Sequence, residues 1–499
     1  MNTAIIGCGI AGLTAALELA ERGISVELIT KEVDPLESNS YHAQGGIVYV
    51  SREDSPELLV ADIMTANGNT GDKAIAHLVA TEGPVAVREL LIERYGVPFA
   101  RDGHGELCFG GEAAHSTRRI LYIKDATGEG IVRTLYAHAE KHPLISIRRR
   151  TMIAGIAVKG KRAVGVYTKE DDGDVAALPA DAVILAAGGL GQIYAHTTNP
   201  RSATGDGFAL ALRAGALLRG MEYTQFHPTT MFDPRTNNAL VSEAVRGEGA
   251  RILAKNGDDF MPSYHPAASL APRDIVSRAI ALELVKRNEG YVLLDCRGIS
   301  ADMLRDRFPH IVEKALAAGV DITTTPLPVV PAFHFSCGGV AVDEHARTAV
   351  SGLYAVGEVS STGLHGANRL ASTSLLEGLT FGRRAAQDIA EQKFMRSTPA
   401  IAPWHDNGSR VPEADMITQD WTSIKNIMWN CVGIVRGRRR LARAVHDLTH
   451  VRAAMGRYYA GAKKNRSLLQ LENALTTASA VASAANDNRV SAGCHYRID

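Results

Sequence analysis

The amino-acid sequence predicts a doubly wound α/β domain assembled from distant segments, with an inserted α+β capping domain and a C-terminal helical domain. Three observations carry that expectation. First, residues 3–30 read as strand, glycine turn, helix and strand in the stretches "TAIIG", "GCGIAG", "LTAALELAERG" and "ISVELIT". Second, "DAVILAAGGLG" (181–191) and "GLYAVGEV" (352–359) repeat the step from an apolar strand into a glycine or acidic turn. Third, residues 236–333 hold helical periodicity and one strand, "GYVLLDC", but no such turn. From about residue 400 a polar stretch, "RSTPAIAPWHDNGSRVPEAD", leads into roughly three helical runs: "WTSIKNIMWNCVGIV", "RGRRRLARAVHDL" and "SLLQLENALTTASAVASA". These shifts place the α/β domain at 1–235 and 334–400, the cap at 236–333 and the helical domain at 401–499.

The chain has 499 residues, 45% hydrophobic and 22% charged, with a formal net charge of zero. That balance gives no reason to expect nucleic acid or an anionic membrane as partner. The basic run "RGRRRLAR" reads as a solvated helix face. The six cysteines (Cys8, Cys108, Cys296, Cys337, Cys431, Cys494) show no CxxC pair and read as reduced thiols, with no metal site. No apolar run approaches a membrane span. The expectation is a soluble cytoplasmic protein.

Gly7, Gly9 and Gly12 form G-x-G-x-x-G after a strand and at the opening of a helix. The first glycine permits the tight turn, the second lets backbone approach a pyrophosphate, and the third allows close helix–sheet packing. The helix N-terminus faces the anion. This is a Rossmann-like dinucleotide site. The end of the second strand, where a ribose carboxylate usually stands, holds Thr30 and Lys31 instead. "NSYHAQGGIVYV" (39–50) places a short apolar strand after the Gly45–Gly46 turn, as many flavoproteins do where they wrap a flavin. Glu358 ends a strand in "GLYAVGEV", well placed for a ribityl hydroxyl. The helix begun by "ASTSLLEGLTFGRRAA" directs the amides of Ser374 and Leu375 at the pyrimidine end, favouring negative charge there. FAD is the expected cofactor.

"LAPRDIV" (270–276) opens another helix. Pro272 suits its first position, yet Arg273 then lies in the first turn, where the macrodipole disfavours a cation. A surface ion pair explains that as simply as a site needing fixed positive charge. Three further stretches, "GGEAAHSTRRI" (110–120), "QFHPTTM" with "LVSEAVRGEGA", and "FHFSCGGV" with "GLHGANRLASTSLLEG", add histidines, an arginine and small hydroxyls. Around a flavin such a set suits a dianion, because guanidinium grips carboxylate bidentately.

"QFHPT", "RGEGA", "RDIVSR", "CGG", "GLYAVGE" and "HGANRLASTSLLEGLTFG" resemble the succinate dehydrogenase/fumarate reductase flavoprotein superfamily nearly end to end. "GEAAHSTRRI", "LAPRDIV", "CGGV" and "TGLHGANR" make the chain similar to its L-aspartate oxidase branch. The covalent members attach FAD through a histidine five residues before the "QGG" glutamine; Asn39 stands there, so one non-covalent FAD per chain is implied. The resemblance makes Arg273 the proton donor or acceptor. His334 and Arg369 are to hold the α-carboxylate of L-aspartate, His227 and Ser242 its side-chain carboxylate, with Gln225 lining the pocket. Glu112 is to face the ammonium, although His115, Arg118 and Arg119 are rival partners for it.

For FAD the matching positions are Gly7, Gly9, Ile10, Ala11, Gly12, Lys31, Ser40, Ala43, Gln44, Gly45, Gly46, Asp206, Glu358, Ser374 and Leu375. Thr151 and Met152 fall on the adenine side. The implied reaction converts aspartate to iminoaspartate, with oxygen or fumarate as acceptor, as the first step of NAD biosynthesis. Transient contact with quinolinate synthase is implied by the instability of that product. Arginine holds its proton tightly, so Arg273 either shuttles a proton with help from Glu243, Glu248 or Asp274, or only steadies charge. Ser242 replaces a threonine, and the tail lacks the family's arginine-glycine run before "HY". Taken singly, His227, His334 and Arg369 also fit structural roles.

Overall fold

The computed structural model describes residues 1–171, 173–233, 239–392, 401–404 and 408–499. The expected domain boundaries at 235/236 and 400/401 touch residues outside the described ones.

The apolar strands singled out in the sequence lie side by side. Leu353–Ala355, Ala182–Leu185, Asn2–Ile6, Ser25–Ile29 and Ile145–Arg148 form one parallel sheet in that order. Ile5, Leu28, Ile184 and Leu185 are fully buried, as continuous apolar strands covered on both faces must be. Succeeding strands fall to opposite sides of Asn2–Ile6, so the order reverses between it and Ala182–Leu185. A crevice opens at the carboxyl ends of strands at such a reversal. Gly7 ends one of these strands and Ala186 the other. A Cβ on Gly7 would lie 2.1 Å from the Ala186 carbonyl, and its φ of +116° is a conformation glycine adopts freely. The helix Ile10–Ala20 is buried along its whole length and packs on Thr373–Glu391.

A second, antiparallel sheet runs Thr224–Met231, Leu327–Ser336, Val292–Asp295 and Arg251–Leu253. It shares a core with the helix Arg273–Arg287, built on Met231, Val276, Ile280, Leu294 and Val329. Ser277 Oγ donates to Phe226 O at 2.7 Å, fixing that helix across the strand Thr224–Met231. The helix starts one residue later than the sequence suggests. Pro272 is its N-cap, with extended ψ of 148°, and Arg273 is the first helical residue. The proline at 272 also leaves no side-chain cap.

Two bulges interrupt the pairing of Thr224–Met231 with Leu327–Ser336. Gln225 pairs with Phe335 and Phe226 with Phe333, which leaves His334 as the extra residue; His227 pairs with Ala332 and Thr230 with Val330, which leaves an extra residue on the other strand, next to Pro228. Bulges re-aim side chains and are where a strand tolerates proline. Here they turn both histidines toward the same space, with ring centroids 5.0 Å apart.

Three helices, Ala414–Cys431, Arg438–Tyr458 and Arg466–Asp487, make the C-terminal part. Ile424, Leu441 and Leu471 join one core with Leu185 and Phe208. The final strand Tyr496–Arg497 pairs with Val435–Arg436. Among the described residues, no helix is long and apolar enough to cross a membrane.

Candidate active site

One cavity of about 980 Å³ runs from the Gly7–Ala11 turn, past Ser40–Gly46 and Glu358, to His227, Arg273, His334 and Arg369. Its walls fit an FAD. Ser40 Oγ accepts from Ile10 N at 3.2 Å, but neither N-cap residue, Gly9 or Ser372, caps its helix with a side chain, so Ile10–Ala20 and Thr373–Glu391 both turn first-turn amides toward the cavity. Added Cβ atoms on Gly45 and Gly189 would lie 2.2 Å from Glu112 Oε1 and Glu358 Oε1. Gly9, Ile10, Ala11, Ala43, Gln44, Gly46, Ser374, Leu375, Thr151 and Met152 also line the cavity. Gly12 does not. It lets its helix close on the sheet, where a Cβ would meet Gly7 O at 2.0 Å.

Lys31 and Asp206 line the same cavity but meet each other. Lys31 Nζ donates to Asp206 Oδ2 at 2.5 Å and Thr204 Oγ1 at 2.6 Å, and Asn473 donates to Asp206 Oδ1 at 2.7 Å. Burial pushes the Asp206 carboxyl up, but Lys31 and these donors outweigh it and hold the group below the usual range. Glu358 accepts from Asn39 Nδ2 at 2.6 Å and from Ser336 N at 3.1 Å. Burial still raises its pKa to about 7.

At the far end three guanidiniums converge. Arg273 Nε donates to Glu243 Oε2, and Arg246 lies behind, its Nη2 3.4 Å from Glu243 Oε1. Burial opposes the Glu243 charge, yet Arg273 and Arg246 together hold its carboxyl below the usual range. Removing one partner of such a buried group costs on the order of 3–5 kcal/mol. Of the carboxylates suggested as partners of Arg273, only Glu243 reaches it. Glu248 pairs with Arg118, and Asp274 Oδ1 accepts from Asn368.

Gln225 stands behind this cluster instead of lining the cavity. Its Oε1 accepts from Arg273 Nη1 and Arg369 Nε, each at 3.3 Å, while its Nε2 donates to Asn368 Oδ1 and Arg369 O. One neutral amide thereby spaces two cations. Arg369 also donates to Ser374 Oγ at 2.5 Å and stacks over Phe335, 4.3 Å from its centroid. Burial and the Arg273 charge lower its pKa to about 10.

His227 Nδ1 accepts from Thr229 N at 3.2 Å, so its proton is on Nε2, which is buried with no hydrogen-bond partner among the described residues. His334 Nδ1 lies 2.8 Å from Thr198 Oγ1. Burial and then Arg273 hold both rings well below the usual histidine range, with Arg369 adding to each. Ser242 Oγ accepts from Ala244 N at 3.3 Å as an N-cap, leaving its proton free to donate into the cavity.

Glu112 is buried, with Oε2 making no hydrogen bond among the described residues. Burial and the Glu243 charge raise its pKa, against Ser372, Arg273 and Arg369. Its suggested rivals are engaged elsewhere: His115 on Ala371 O, Arg118 on Glu248, Arg119 on Asp54 and Asp62.

Arg246 and Asn368 were visible only as members of the stretches "RGEGA" and "HGANR". Nothing in the sequence alone separates them from their neighbours. The tail also contributes despite its altered motif. Cys494 N donates to Ala367 O at 2.9 Å and its Sγ to Asn368 Oδ1 at 3.2 Å, bracing the loop that carries Arg369.

Residues 2–375 match the model of the FAD binding domain family, and residues 421–499 that of the fumarate reductase flavoprotein C-terminal region. The fold resembles the FrdA chain of E. coli quinol fumarate reductase, with TM-score 0.90 and 29% identity over all of this chain and 91% of that one. It also resembles Mycobacterium smegmatis Sdh1, with TM-score 0.83 and 30% identity over all of this chain and 88% of the other. L-aspartate oxidase 1 of Ralstonia nicotianae is 42% identical over all of this chain and 95% of its own length. The L-aspartate oxidase of Halobacterium salinarum is 38% identical over 99% and 96%. Similarity of that extent, on both sides of the cap and through the tail, shows that the chain belongs to the L-aspartate oxidase family of FAD-binding flavoproteins.

Proposed function

We propose that this chain oxidises L-aspartate at Cα to iminoaspartate, passing the electrons to oxygen, giving hydrogen peroxide, or to fumarate, giving succinate. The observation that carries this reading is the charge pattern. Arg246, Arg273 and Arg369 surround the ionised carboxylate of Glu243, leaving an excess of positive charge that the two carboxylates of a substrate offset. Bound FAD supplies the two-electron acceptor for the Cα hydride. Asn39 carries no nucleophile and its amide is occupied by Glu358, which supports non-covalent binding.

In this reading Arg369 and His334 take the α-carboxylate, and His227 and Ser242 the side-chain carboxylate. Glu112, its acidity weakened by burial, receives a proton from the ammonium. In the fumarate direction Arg273 delivers a proton to carbon and regains one from solvent, its charged form favoured by the Glu243 carboxylate beside it. The test compares L-aspartate, L-asparagine and succinate as electron donors. Oxidation of L-aspartate alone is expected, because asparagine lacks the second carboxylate and succinate the ammonium; equal rates with asparagine would defeat the two-clamp reading.

The histidines act as neutral donors. Both are held well below the ordinary value of about 6.5, so neither changes charge between about pH 6 and 8. Measured over that range, KM for L-aspartate is expected to show no histidine inflection. Clamping by protonated histidine would instead lower KM as pH falls through about 6.5.

A further inference from the structure

Thr198 lies between the short turn Gly191–Ile193 and the helix Asp206–Ala214, in a loop that none of the roles above uses. We propose that Thr198 is a positioning residue that fixes the tautomer of His334, so that the ring presents Nε2–H to a substrate carboxylate. This rests on the dicarboxylate reading of the site.

A threonine hydroxyl has one proton to give. Two acceptors are within reach of it: Phe333 O at 3.3 Å and His334 Nδ1 at 2.8 Å. Phe333 O already accepts from Thr198 N at 2.9 Å and from Thr197 Oγ1 at 3.2 Å, which fills its two lone pairs. The hydroxyl proton therefore goes to Nδ1, the nearer atom. Nδ1 is then a lone pair, and the proton of the neutral ring sits on Nε2.

The loop is built to hold this arrangement. Asn199 Nδ2 donates to His334 O at 2.8 Å, and Asn199 N to Thr197 Oγ1 at 3.1 Å. Three consecutive residues thus grip the bulge that aims His334. His227 reaches the same state by another route, through the backbone N–H of Thr229. The two rings form a matched pair of Nε2–H donors that bind carboxylates without adding positive charge. In the opposite tautomer a lone pair would face a carboxylate.

The variant Thr198→Val removes the hydroxyl with little change of shape. Wild-type FAD content is expected. The Kd for succinate, read from the perturbed flavin spectrum, and the KM for L-aspartate are each expected to rise about tenfold. Because the lost contact serves ground and transition states alike, kcat changes far less. Thr198→Ser is expected to restore both constants. Wild-type succinate affinity in Thr198→Val would overturn the proposal, as would a loss that serine fails to restore, or a fall confined to FAD content and kcat. If the wild type binds succinate but does not oxidise L-aspartate, the function reading fails, and weakened succinate binding in Thr198→Val still supports the role of Thr198.

Discussion

Arg273→Leu is expected to keep FAD bound at wild-type stoichiometry and to lose about 10²- to 10⁴-fold in kcat, the range usual for a proton-transferring group. The side chain is buried, lines the cavity, and hydrogen-bonds groups that belong to the site: Glu243 through Nε and Gln225 through Nη1. Neither of these bonds reaches the glycine-lined half of the cavity, so the cofactor has no reason to leave. Arg273→Lys restores a charge but not the planar fork that reaches Glu243 and Gln225 together, and is expected to recover only part of the loss. Flavin absorbance per chain and initial rates in both directions check this. Wild-type turnover in Arg273→Leu would remove Arg273 from the chemistry.

The second large effect is one of selectivity. Glu112→Gln keeps shape and burial but removes the charge that is proposed to meet the ammonium. Truncating one partner of a buried charge pair costs on the order of 2–4 kcal/mol, so kcat/KM for L-aspartate is expected to fall about 30- to 1,000-fold. Reduction of fumarate by an artificial donor, which involves no ammonium, is expected to change little. A parallel loss in both reactions would make Glu112 a general structural residue. The geometry argues against that outcome: Glu112 Oε2 is buried without a hydrogen bond among the described residues, and Arg118 and Arg119 are paired with other carboxylates.

The parallel sheet was readable in the sequence because its three key strands each run directly into a turn of special chemistry. Strand, turn and helix at Gly7 to Gly12 follow from local spacing alone. The residues expected at the site cluster in long motifs, and most of them line one cavity. Their aim was not. His334 faces the cavity only because Gln225 and Phe226 pair with Phe335 and Phe333, a register that emerges when two distant strands meet. Gln225 was expected to line the pocket, but four neighbouring groups engage its amide and draw it behind the arginines. The apparent misplacement of Arg273 at a helix start is resolved by Glu243, a residue thirty positions away that no local rule connects to it. The helix start itself moved by one residue, since the extended ψ of Pro272 makes it a cap.

The central claim is that the site removes electrons from an amino dicarboxylate through both carboxylate clamps and Glu112. The most direct measurement mixes the yellow holoprotein with L-aspartate without oxygen, and separately with succinate, while following the visible flavin band. Bleaching by L-aspartate and not by succinate is the predicted result; bleaching by succinate alone, or by neither, would contradict it.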